Sequence, residues 1–251
     1  TINELINSGT ISASVNKGLI NNSSATINTL TNTGTISATT QYGLRNDNDS
    51  TITTLTNSGN IQANINGLYN KSSTITTLTN IGFIKALTGD FGLNNAGGTI
   101  GTLDNSGTIS AGDDSSLWNG GTITTLTNSD TGTISAEDEF GLKNVNGTIG
   151  NLTNSGTISA GDRYGIFNDG TSIITTLTNS GTISSDRSGL WNDATITTLT
   201  NSGSIKALTG DFGLKNVNGT IVTLTNSGTI SAGDRYGLYN DGTATITTLT
   251  N

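Results

Sequence analysis

The triplet Leu-Thr-Asn, with Leu fixed and small changes after it, starts at Leu5, Leu30, Leu55, Leu78, Leu103, Leu126, Leu152, Leu177, Leu199, Leu224 and Leu249. Successive copies thus follow one another at an almost constant step. A period in the twenties marks a solenoid, whose units cannot bury their own apolar face and are stabilised by stacking on neighbours. The units fill all 251 residues, so residues 1–251 read as one continuous β-solenoid repeat array without an internal domain boundary.

Each unit follows Thr-Ile-x-Thr-Leu-Thr-Asn-Ser-Gly-Thr-Ile-Ser-Ala, a variable stretch, then Gly-Leu-x-Asn and a turn. Three runs rich in Thr, Ile and Leu emerge, each bounded by Gly, Asn, Asp or Ser, which predicts three short strands per coil of 22–26 residues. The fold class is therefore all-β, about ten three-strand coils. Alternation assigns the faces. In the coil from Thr148, Leu152, Asn154, Ile158, Ala160, Ile166 and Asn168 point inward, while Thr153, Thr157 and Ser159 point outward. Ile149 and Leu152 are three apart, so a bulge or corner must fall between them.

Composition closes off several chemistries. Hydrophobic residues make up only 31%, which would suit a disordered chain if they were scattered, but here they recur in phase. There is no Cys, His, Met or Pro. The lack of Cys removes disulfides and thiol chemistry, and the lack of both Cys and His removes the usual zinc sites. A nucleophile–His–acid arrangement has no base. No cofactor is called for, and the expectation is a protein without enzymatic activity. The net charge of −8, with no basic cluster, argues against a nucleic-acid partner. No apolar run approaches the 18 residues that membrane insertion needs. Absence of Pro suits a chain whose backbone N–H groups nearly all enter ladders. No initiating Met or signal peptide is present, so the sequence reads as a mature segment or a piece of something longer.

Asparagine forms two fixed columns. One follows Leu-Thr: Asn32, Asn57, Asn80, Asn105, Asn128, Asn154, Asn179, Asn201 and Asn226, with Asn251 at the end. The other closes the third run: Asn46, Asn70, Asn95, Asn119, Asn144, Asn168, Asn192, Asn216 and Asn240, with Asn21 before them. Stacked amides can hydrogen-bond along a column and hold tight bends, so both are expected to be structural ladders.

With these strings in hand, the unit resembles the passenger repeats of bacterial autotransporter and two-partner-secreted surface proteins. The resemblance runs from Leu5-Ile6-Asn7-Ser8-Gly9-Thr10-Ile11 to Leu249-Thr250-Asn251. It implies a right-handed parallel β-helix and a secreted or outer-membrane-attached location. It also implies a rigid adhesive stalk or fibre, whose partner is a surface protein or glycan of another cell or a matrix. Absence of Cys matches passengers that cross the outer membrane unfolded. Blocks of several coils have been copied: Phe140-Gly-Leu-Lys-Asn-Val-Asn-Gly-Thr-Ile recurs from Phe212. The only expansion is Ser129-Asp130-Thr131. Both ends lie in the same phase, so end-to-end self-association is a further expectation.

Three surface features could carry function. Eleven of the twelve aromatics flank Gly-Leu, Gly-Ile or, for Trp118, Ser-Leu. Tyr42, Phe91, Phe140, Tyr164, Phe212 and Tyr236 precede it and are expected to turn toward the core or corner. Tyr69, Trp118, Phe167, Trp191 and Tyr239 follow it and are expected outward, where they could stack on sugar rings or a partner. The second feature is paired outward threonines: Thr54/Thr56, Thr77/Thr79, Thr125/Thr127, Thr176/Thr178, Thr198/Thr200 and Thr223/Thr225. That array resembles the ice-binding faces of β-solenoid antifreeze proteins, although Thr102/Asp104 and Asn151/Thr153 interrupt it. The third is a stripe of Asp and Glu after the Ala position, including Asp90, Asp113, Asp114 and Asp162, read as solvated charge that deters aggregation. The calcium nonapeptide Gly-Gly-x-Gly-x-Asp is absent, and no metal site is assigned. Ice binding and a carbohydrate-active β-helix are the alternatives to the adhesive stalk.

Overall fold

The computed structural model describes all 251 residues. It is a β-solenoid of three parallel sheets holding eleven, ten and ten strands, each strand pairing with its counterpart one coil away. One coil shows the plan: Thr148–Asn154 belongs to the first sheet, Thr157–Ala160 to the second and Tyr164–Asp169 to the third. Register is kept throughout, with Leu5 beside Leu30 in the first pair and Leu224 beside Leu249 in the last.

The interior repeats four columns per coil, for example Ile149, Leu152, Ile158 and Ile166, all fully buried. One continuous cluster of 34 Ile and Leu side chains runs through the stack, because each coil covers the apolar edge of the next. The predicted break between Ile149 and Leu152 is present. Gly150 and Asn151 both face outward, and Gly150 drops out of the pairing register that resumes at Asn151. Two outward residues in succession then restore Leu152 to the core.

Both asparagine columns are unbroken ladders. In the first, the Asn7 amide NH2 donates to Asn32 Oδ1 at 2.7 Å, and the same bond recurs at every step to Asn226 and Asn251. The second runs equally from Asn21 to Asn240. All bonds point the same way, from the earlier coil to the later. Most of these amides also tie down two carbonyls: Asn154 Nδ2 donates to Gly156 O in its own coil and to Thr182 O in the next. A side chain thus satisfies corner carbonyls that the sheets leave unpaired.

The first corner stacks glycine on glycine. A Cβ at Gly156 would collide with the carbonyl oxygen of Gly132, whereas one at Gly9, in the first coil, would meet nothing within 4 Å. The Ser129-Asp130-Thr131 expansion is a local turn closed by Gly132 N–H donating to Ser129 O at 2.8 Å. Thr108 still pairs with Thr133 beyond it, so the extra residue is absorbed outside the sheets.

Candidate functional site

The outer face of the third sheet carries two adjacent columns. The residue before Gly-Leu runs Tyr42, Asn66, Phe91, Ser115, Phe140, Tyr164, Ser188, Phe212 and Tyr236. The residue after the Leu runs Arg45, Tyr69, Asn94, Trp118, Lys143, Phe167, Trp191, Lys215 and Tyr239 along the same pairings.

The first set, expected toward the core or corner as packing residues, does not reach the core. None of Tyr42, Phe91, Phe140, Tyr164, Phe212 and Tyr236 joins the Ile and Leu core. The intervening glycine takes the inward place: a Cβ on Gly141 would lie 2.7 Å from the carbonyl oxygens of Gly165 and Ser159, against the second sheet. Gly141 and Leu142 therefore face inward in succession, and Phe140 is thrown outward. Period-2 reading fails here because a glycine has no side chain to declare its face.

Once outside, the two sets pack on each other, and Phe140, Tyr164 and Phe212 are buried by this outer packing. Tyr42 and Tyr69 stack with centroids 4.8 Å apart, and Phe91 meets Trp118 at 5.9 Å. Tyr164 meets Trp191 at 4.6 Å, and Phe212 meets Tyr239 at 4.7 Å. A bulky residue after Leu leans diagonally over the preceding coil's aromatic where its own coil has a small residue, as Trp118 does beside Ser115 and Trp191 beside Ser188. The expected free outward rings Trp118, Phe167, Trp191 and Tyr239 are consequently half-buried, as is Tyr69. Cations cover several rings of the two columns: Arg45 lies over Tyr42 and Tyr69, Lys143 Nζ lies 4.3 Å from the Phe140 centroid, and Lys215 Nζ lies 3.7 Å from that of Trp191. Burial pushes the Lys215 ammonium below its ordinary pKa against the pull of Asp211 and Asp241. Burial also raises the Tyr69 and Tyr164 phenols. The alternation of aromatic and cation was legible in the sequence once the coils were aligned.

The paired threonines stand in register on the outer face of the first sheet. Thr54, Thr77, Thr102 and Thr125 form one column, and Thr56, Thr79, Asp104 and Thr127 the next. Thr176, Thr198 and Thr223 continue the first, and Thr178, Thr200 and Thr225 the second. The outward bend adds a row the sequence reading missed, with Thr53, Thr76 and Thr124 exposed beside it. Asp104 opens a depression of about 220 Å3 lined also by Thr79, Asn105, Ser106, Thr127 and Ser129.

The acidic stripe follows the turn between the second and third sheets. Arg163 pairs with Glu139 at 3.1 Å, Arg235 with Asp211 at 3.1 Å and Lys143 with Asp114 at 3.2 Å. Burial, aided by Asp114 and Asp113, raises the Asp90 carboxyl above its ordinary pKa. No three carboxylates converge on a point where an ion could sit. Against protein-family models, curated proteins and solved structures the chain finds no match, so its functional reading rests on the solenoid and these three faces.

Proposed function

We propose that this chain is the rigid display region of a secreted bacterial surface protein, a stalk that attaches to a protein or glycan of another cell or of a matrix. The observation that carries the reading is the unbroken pair of asparagine ladders around one uninterrupted core. Such a stack fixes length and direction over many coils while its outward columns vary freely. Repeated copying of whole coils, and an acidic surface of net charge −8 that resists clumping, support the same reading. Its test is attachment of the purified chain to bacterial, host-cell and matrix-coated surfaces. Saturable attachment that a soluble excess of the same chain displaces is expected; binding no greater than that of an unrelated acidic β-protein overturns it.

A second reading has its own observation, the in-register threonine columns on the first sheet. A flat, rigid array of hydroxyls and methyls is the kind of surface that orders water into ice-like rows. Thermal hysteresis and faceted crystals in concentrated solution are expected on this reading, and their absence removes it.

A further inference from the structure

We infer that the outer face of the third sheet between Tyr42 and Trp118 is a binding track for an extended, neutral glycan. The inference rests on the attachment reading and names its partner. One column of this stretch runs Tyr42, Asn66, Phe91 and Ser115, and the other runs Arg45, Tyr69, Asn94 and Trp118. The rings close into two pairs, Tyr42 with Tyr69 and Phe91 with Trp118, and the two asparagines fill the places between.

These asparagines belong to neither ladder. Asn66 and Asn94 are only 4% and 7% exposed, yet the side-chain oxygen of each is shut from solvent without a donor. A buried carbonyl left so costs about 1–3 kcal/mol, and every interior ladder amide in the chain avoids that cost. A half-turn of either amide about its last torsion would exchange its oxygen with its NH2 and offer the oxygen, from the other position, to a sugar hydroxyl. Apolar ring faces beside a few placed amides are the means by which proteins hold a pyranose: C–H faces rest on the rings and hydroxyls meet the amides.

The later rings are less available. Lys143 and Lys215 lie over Phe140, Trp191 and Phe212, and at the near end of the track Arg45 lies over Tyr42 and Tyr69, whereas no cation covers Phe91 or Trp118, which form its open pair. Beside the Phe91–Trp118 pair the third corner is Gly97-Gly98 and Gly120-Gly121, a ledge without side chains, and the Trp118 ring lies across Gly120. On the other edge Asp90, Asp113 and Asp114 repel a polyanion, which selects a neutral chain. Tyr69 and Trp118 are two coils apart, about 9.6 Å at the strand spacing, so a glycan lying along the axis sets roughly one sugar over each coil.

The test uses the intact chain carrying Trp191→Phe, which leaves Trp118 as the only indole. Its fluorescence is titrated with hexasaccharides of β-linked glucose and of N-acetylglucosamine, and with hexagalacturonate as the anionic probe. A saturable change with at least one neutral hexasaccharide is expected, weakened roughly tenfold by Asn94→Ala, the effect of one lost hydrogen bond. Tyr239→Ala leaves it unchanged, and circular dichroism of each variant confirms folding. No response at millimolar sugar, a response to hexagalacturonate alone, or an affinity indifferent to Asn94→Ala overturns the proposal. Surface attachment by the Asn94→Ala and Trp118→Phe variants separates the two readings: attachment unaffected by both, with no glycan bound, removes the track and keeps the stalk. Glycan bound without surface attachment removes the stalk and keeps the track.

Discussion

Asn154 shows how much one residue carries in a stacked fold. Its amide is fully buried, accepts from Asn128 and donates toward Asn179 Oδ1, Gly156 O and Thr182 O. Asn154→Ala strands these acceptors and is expected to cost about 3 kcal/mol. Asn154→Asp is expected to cost more at neutral pH, since it aims a buried carboxylate at three oxygens; urea unfolding of both variants ranks them. Glycine gives a second contrast. Gly156→Ala must push against the Gly132 carbonyl and is expected to lose about 1–3 kcal/mol. Gly9→Ala, chemically the same change, meets open space and is expected to stay within about 0.5 kcal/mol of wild type. Equal melting midpoints for the two variants would show that the stacked glycines do not control the corner.

At the scale of strands and corners, what the sequence disclosed depended on whether a residue has a side chain to declare its face. The Leu and Asn columns were plain because their inward places are filled by residues of one kind, and the Ile149–Leu152 gap foretold the bend. Phe140 was misplaced because Gly141 takes the inward position silently, so the packing of the two ring columns on each other emerged only from the structure, although the order of rings and cations along them can be read from the aligned coils. Asn66 and Asn94 escaped notice for another reason: in a chain this rich in asparagine, only position relative to the ladders distinguishes them. The third corner supplies a pH prediction. Burial, then the neighbouring Asp169, raises the Asp193 carboxyl above its ordinary value of about 3.9, with Asn218 and Lys215 opposing incompletely. Between the ordinary and the raised value the folded chain holds more protons than the unfolded one, so this group's contribution to stability falls as pH rises through that window. Asp193→Asn is expected to flatten that part of the slope and raise the urea midpoint at neutral pH. A variant whose pH profile overlays that of wild type would exclude Asp193 as the source.

For the whole molecule, stability that passes only between neighbours implies that coils can be removed in whole numbers. The copied blocks give a seam at which to do so. Residues 140–149 and 212–221 are identical, and deleting 146–217 joins Val145 to Asn218 without changing the local sequence. The deletion takes out three whole coils and leaves every column in phase: Leu126, Leu152 and Leu224 mark the same core place, and Asn144 would donate to Asn240 as it now does to Asn168. The shortened chain is expected to fold, to keep the same cross-section and to lose about 14 Å of length, three strand spacings. Small-angle scattering measures both dimensions. Deleting only 146–157 from the same seam removes the first-sheet strand Thr148–Asn154 with its ladder amide and leaves Asn144 and Asn168 out of step. That half-coil cut breaks both ladders and is expected to unfold the coils around it. If the two deletions behave alike, the phase of the columns is not what holds the solenoid together.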